Sequence, residues 1–168
     1  MDIIDVLLNS MGNPLTYSFI FFIYVILTAL FLPIPVEVGL FNPFINPALL
    51  LGILALGKGT GAFFVFIIGS NIRKKIKKIS FGTPFLKKII TYCEKFVKKY
   101  GYIGLFIIMS IPLMIDSVSL YLFTLLNSEE NGKTSLVKSK FVLINIFAGA
   151  IRGAIILAFA YLLNIKLV

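Results

Sequence analysis

The chain has 168 residues, of which 59% are hydrophobic, with 17 Phe, a mean hydropathy of +1.01 and only 14% charged residues. A water-soluble fold has nowhere to put so much apolar surface, so the composition points to an integral membrane protein of one domain, with room for roughly four to six spans of about 20 residues. Cys93 stands alone and there is no His, which excludes an internal disulfide, a metal site of imidazoles or several thiolates, and Ser-His or phosphohistidine chemistry.

The net charge of +9 is local. Residues 73–99 hold ten Lys and Arg against the single acid Glu94, which is +9, and the rest of the chain holds six of each sign, which is zero. A basic patch wedged between apolar segments, with no base-reading motif, argues against a nucleic-acid partner. Lys and Arg in short loops beside spans mark the cytoplasmic side and attract anionic lipid headgroups, so the expected partners are membrane lipids at the connector from Arg73 to Lys99.

Residues 1–13 carry Asp2 and Asp5 but no Lys or Arg, and the apolar run 15–32 lacks a small-residue cleavage signature, so a signal peptide is not expected. Pro33 and Pro35 end the helix predicted over 15–32 by removing donors and restricting their neighbours. Residues 36–47 are apolar yet contain Gly39, Asn42, Pro43, Asn46 and Pro47. Such a segment is tolerated at membrane depth only where protein or a water-filled cavity satisfies its backbone, and a re-entrant hairpin is the natural expectation. Residues 48–72 then read as a full span with Lys58 near its middle.

Residues 73–100 form the connector, whose second part reads as an amphipathic helix capped by Thr83 and started by Pro84. Phe85, Ile89, Cys93, Phe96 and Tyr100 share one face, with Lys87, Lys88, Lys95, Lys98 and Lys99 on the other, as expected for a helix on a membrane surface or over the ends of the spans. Residues 102–126 are interrupted by Pro112 and Asp116 and read as a second hairpin, followed by a polar insert over 127–140 and a last span over 141–163 with Arg152 central. The expected architecture is an all-α membrane domain over 1–168. Half one (1–72) and half two (101–168) form an inverted repeat of two re-entrant hairpins, each followed by a span.

The charges inside apolar stretches repeat in register. Glu37 precedes Lys58 by 21 positions and Asp116 precedes Arg152 by 36, or 22 once the insert of 14 residues is removed. In each copy a proline break (Pro33 and Pro35; Pro112) precedes the acid, and a Gly-x-x-x-Gly helix (Gly57 and Gly61; Gly149 and Gly153) carries the base. Charge at the bilayer centre costs between about 2.5 and over 10 kcal/mol, so four such groups ask for a common explanation. If both breaks fold toward one cavity they form a polar site for substrate or protons; the alternative is two ion pairs, one per half, that lock helices together. The glycine pairs point to close helix packing. Gly57-Lys58-Gly59-Thr60-Gly61 lacks the spacing and preceding strand of a phosphate loop. A protease using Glu37 and Asp116 as an acid pair finds no Gly-rich context around Asp116, and no enzyme activity is expected.

The run Leu32-Pro33-Ile34-Pro35-Val36-Glu37-Val38 resembles the Pro-x-Pro-x-Glu motif of the DedA, or SNARE-associated (VTT-domain), membrane proteins. Gly57, Gly61, Phe66 and Gly69 resemble the motif that follows it, Lys99-Tyr100-Gly101 with Ile111-Pro112 resembles the second-half signature, and Phe141, Asn145, Gly149 and Ala150 resemble the start of the last helix. Met109 and Ile115 stand where the bacterial type has arginines around the second proline, and Ala62 stands where an acid is usual, so the resemblance is to a divergent branch. It implies facing re-entrant hairpins and transport of phospholipids or polyprenyl-phosphate carriers between leaflets of the cell membrane, in some members tied to proton-motive force. A lipid transporter, a secondary transporter exporting a small cation or drug, and a non-transporting scaffold all remain open on the residues alone, as does assembly into a homo-oligomer.

Overall fold

In the computed structural model of the chain, residues 3–32, 34–78, 84–127, 129–130, 133–134 and 136–163 are described; side chains are described within these ranges except at 74–78, 84–94, 96, 98, 129–130 and 133–134. Pro33, Thr83 and the apolar face assigned to Phe85, Ile89, Cys93 and Phe96 therefore lie outside the described residues or side chains. The elements run α1 (Ile3–Asn9), α2 (Pro14–Leu30), a 3-10 turn (Val36–Leu40), α3 (Pro47–Lys78), α4 (Pro84–Ser110), α5 (Asp116–Leu125), a ribbon of β1 (Glu129–Glu130) and β2 (Lys133–Thr134), and α6 (Lys138–Leu162). Among the described residues the fold is all-helical apart from that ribbon.

Among the described residues two helices are long and apolar enough to cross a membrane: residues Pro47–Arg73 of α3 and Lys138–Leu162 of α6. Only 44% and 33% of their most apolar windows are buried inside the protein. The larger part of each window is therefore not fully buried, and Leu49, Leu56 and Phe64 on α3 and Leu143, Phe147 and Phe159 on α6 are exposed apolar side chains, consistent with a helical membrane protein. α2 is apolar but has 17 residues, about 25 Å at the helical rise.

Helix ends follow local chemistry. Asn13 caps α2 by accepting from the Thr16 amide, with Pro14 at the first helical position where its missing N–H costs nothing. The turn between the 3-10 segment and α3 is closed by Asn42 Oδ1 accepting from the Phe44 amide and Asn46 Oδ1 accepting from the Ala48 amide. α4 differs from expectation: the connector helix does not stop near Gly101 but continues through it to Ser110. A Cβ on Gly101 would run into Leu136, so here the glycine serves a close approach and not a break. The helix ends where Pro112 removes a donor, and α5 starts at Asp116. α6 starts at Lys138, so the last residues of the polar insert belong to the helix. The insert itself is tied by Asn127, which donates to the Leu136 carbonyl (2.9 Å) and accepts from the Leu136 amide (2.7 Å).

α3 is the central element: α2, α5 and α6 all pack on it. Its glycines set those contacts. A Cβ at Gly57 would collide with Val25 and one at Gly61 with Ala29, both on α2; one at Gly59 would meet Ile146 of α6, and one at Gly69 would overlap Thr124 of α5. On α6, Gly149 lies against Ala55 and the stem of Lys58, and Gly153 against Leu51 and Leu54. Small residues at these positions let helices approach closely.

Two apolar clusters result. One gathers Tyr17, Phe21, Tyr24, Val25 and Leu40 with Leu50 and Leu54 of α3; the other gathers Ala62, Val65 and Phe66 of α3 with Leu105, Met109, Phe123, Phe141 and Ala148. Lys58 lies between Leu54 and Ala62 on the same helical stripe, and Arg152 lies between Ala148 and Ile156 on its own. The polar group of the molecule thus sits at the seam of the two cores.

Candidate functional site: a buried four-charge cluster

Each of the four charged residues is delivered by a different element: Glu37 by the 3-10 turn, Lys58 by α3, Asp116 by the first turn of α5 and Arg152 by α6. All are buried, from Arg152 at 0% and Lys58 at 1% to Asp116 at 4% and Glu37 at 5% relative exposure. They form one network and not two pairs. Arg152 Nε donates to Glu37 Oε1 at 2.7 Å, its Nη2 reaches the same oxygen, its Nη1 donates to Asp116 Oδ1 at 2.8 Å, and its Nη2 donates to the Met114 carbonyl at 3.0 Å. Lys58 Nζ donates to Asp116 Oδ1 at 3.1 Å and to the Met109 carbonyl at 3.3 Å.

The pairing crosses the halves. Reading along the chain suggests Glu37 with Lys58 and Asp116 with Arg152, but no Glu37–Lys58 bond is present among the described residues; Glu37 is held by Arg152, 115 positions away, and Asp116 bridges both bases. The planar guanidinium explains this choice, because its fork can address two carboxylates and a carbonyl at once, whereas an ammonium acts as a point charge. A buried network of this kind is not in itself stabilising, since desolvation offsets much of the Coulomb gain, but removing one member leaves the others uncompensated.

The helix breaks supply backbone groups to the cluster. Leu113 takes φ 62°, the left-handed region a branched residue rarely adopts, and its amide donates to Glu37 Oε1 at 2.9 Å. Met109 lies in the last turn of α4, where carbonyls have no helical donor, and Lys58 uses one of them. On the other side, two tyrosines of α2 fix the turn that carries Glu37: Tyr24 donates to the Pro35 carbonyl at 2.8 Å and Tyr17 to the Gly39 carbonyl at 3.0 Å. Gly39 lies flat against the Phe21 ring, where any side chain would overlap it.

The polar inventory is asymmetric. Every nitrogen of Arg152 and the Lys58 ammonium donate within the cluster, whereas Glu37 Oε2 and Asp116 Oδ2 are buried without a hydrogen-bond partner. Asn145, two turns before Arg152 on the same face of α6, adds a third such acceptor: its amide donates to the Phe141 carbonyl, and its Oδ1 has no partner. Buried acceptors without donors are rare in native proteins and call for an explanation. Among the described residues there is no cluster of three or more His, Cys, Asp or Glu that could hold a metal ion.

Sequence reasoning singled out the four charges but not Leu113, Met109 or Met114, which contribute only backbone groups. It also missed Tyr17 and Tyr24, although their seven-residue spacing places both hydroxyls on one face of α2, and Arg73, read as the first residue of the basic connector, is buried (4%).

No protein-family model, curated protein or solved structure matches the chain.

Proposed function

We propose that the chain is a multi-pass membrane transporter of the plasma membrane that moves an anionic lipid or polyprenyl-phosphate carrier between leaflets, with Glu37, Lys58, Asp116 and Arg152 as its substrate and proton site. The observation that carries this reading is the convergence of four buried charges from four elements at the two helix breaks. α5, with 10 residues, is about 15 Å long, half of the roughly 30 Å hydrocarbon core. A break at Pro112 followed by so short a helix fits a hairpin that enters and leaves one side, and the Pro35 break with its 3-10 turn fits the first copy of an inverted repeat. Lys58 and Arg152, eleven and fourteen residues into their apolar helices, then lie at mid-depth, where ionisable groups mark transport pathways. The motif resemblance to VTT-domain proteins points the same way.

Leaflet exchange of fluorescent lipid in proteoliposomes tests it. Glu37→Gln and Asp116→Asn should each reduce exchange by at least tenfold with the purified protein still folded; unchanged exchange in both removes the site assignment.

One observation favours a second reading, a secondary transporter for a small cation or drug. The unpartnered Glu37 Oε2 and Asp116 Oδ2 offer lone pairs to a positive group, while both bases are engaged. Cation flux lost in Glu37→Gln while lipid exchange persists would select this reading.

A further inference from the structure

Glu37 Oε1 receives two hydrogen bonds, from the Leu113 amide at 2.9 Å and from Arg152 Nε at 2.7 Å, and Arg152 Nη2 closes on the same oxygen as an ion pair. A guanidinium edge and a backbone amide converging on one oxygen is the arrangement that binds the oxygen of an external carboxylate, phosphate or sulfate group. Leu113 aims its amide there at the cost of a left-handed backbone, about 1 to 3 kcal/mol for a residue of this type. Leu113 itself is 72% exposed, so its side chain gains no burial in return.

We propose that Glu37 is an internal plug in an oxyanion-binding cradle formed by Leu113 and Arg152, and that a monovalent oxyanion replaces it when Glu37 takes up a proton. The charges set the coupling. Two carboxylates and two bases sum to zero, so an anion entering a buried, neutral cluster would leave it at −1, which low-dielectric surroundings penalise. When a proton from water adds to a carboxylate oxygen of Glu37, with Oε2 free to take it, the cluster becomes +1 and Arg152 keeps only Asp116 as an ionic partner; one anion against the Arg152 edge and the Leu113 amide restores zero. No covalent bond of the protein breaks. Proton and anion therefore occupy the cluster together, one for one.

The other groups facing Glu37 are each engaged: Arg152 from α6 pairs with both acids, Lys58 from α3 and Asp116 from α5 are bonded to each other, and the Tyr17 and Tyr24 hydroxyls of α2 donate to the carbonyls of Gly39 and Pro35. The ligand chemistry is shared by a phosphodiester headgroup and a free monovalent oxyanion. The inference rests on the proposed reading only in taking the cluster as a ligand site: anion binding with no lipid exchange would overturn the transporter and keep the cradle, and exchange without anion binding would do the reverse.

The test uses the full-length protein in phosphatidylcholine nanodiscs and two probes that do not titrate in the neutral range, methyl sulfate and short-chain phosphatidylglycerol. In the wild type, affinity should fall about tenfold per pH unit on the alkaline side, the slope of one proton taken up per anion bound. Glu37→Gln, neutral at every pH, should bind with no pH dependence. Glu37→Ala, which empties the cradle, should unfold at a higher temperature when methyl sulfate is added at alkaline pH, and the wild type should not. Binding of both probes means that the cradle reads the oxyanion alone, and binding of the lipid alone adds acyl chains to recognition; each supports the proposal. It is overturned by a wild-type affinity independent of pH, by a Glu37→Gln variant that still titrates, by failure of wild type, Glu37→Gln and Glu37→Ala alike to bind either anion, or by tetraphenylphosphonium binding in their place.

Discussion

Arg152 is the residue on which the cluster depends, because it alone touches both carboxylates and the α4–α5 break. Arg152→Ala leaves Glu37 without a basic partner and Asp116 with only Lys58, and should cost about 3–5 kcal/mol in thermal or denaturant unfolding of the purified protein. Arg152→Lys should recover little of this, since an ammonium cannot reach Glu37, Asp116 and the Met114 carbonyl together. A milder prediction concerns Tyr24. Tyr24→Phe removes one hydrogen bond to the Pro35 carbonyl and should cost about 1 kcal/mol, read as a small fall in unfolding temperature with the four charges untouched.

Among the helices, α3 shows how glycine placement controls assembly. Gly52 has open space where a Cβ would project, whereas Gly57, Gly61 and Gly69 have none. Gly52→Ala should therefore be neutral or stabilise by up to about 1 kcal/mol through helix propensity. Gly69→Val, by contrast, has to push α5 away at Thr124, and because α5 begins with Asp116 the displacement reaches the cluster. The expected outcome is a loss of stability for Gly69→Val with no loss for Gly52→Ala when the two are compared under one denaturation protocol. α4 carries the complementary lesson: it runs through Gly101, where Leu136 packs closely, a contact that no local propensity rule contains.

At the scale of the whole molecule, two apolar cores meet at one polar seam, and the outward faces of α3 and α6 remain apolar. The cluster is sealed from the surface in this conformation. An amine-reactive reagent applied to the reconstituted protein should acylate Lys95, Lys99, Lys138 and Lys140, all exposed, while Lys58 stays unmodified as read by peptide mass analysis. Rapid modification of Lys58 would mean that the cluster opens to water on the timescale of labelling.

Much of this was legible in the chain itself. Apolar runs of about 20 residues, proline breaks at Pro35 and Pro112, and four charges with no solvent to hold them mark both the helices and the candidate site, because charge in an apolar stretch has few places to go. The Gly-x-x-x-Gly pairs likewise announced close approach without saying to which partner. Only the tertiary structure decided the pairing: Glu37 meets Arg152 across 115 positions, Asp116 joins both bases, and Gly57 faces α2 while Gly149 faces α3. It also brought in the Leu113 amide and the Met109 and Met114 carbonyls, which every residue possesses and which no side-chain pattern can reveal. The division has one physical cause. Burial and helix breaking are properties of a segment, whereas a hydrogen-bond network is a property of how separate segments are brought to within 3 Å of each other.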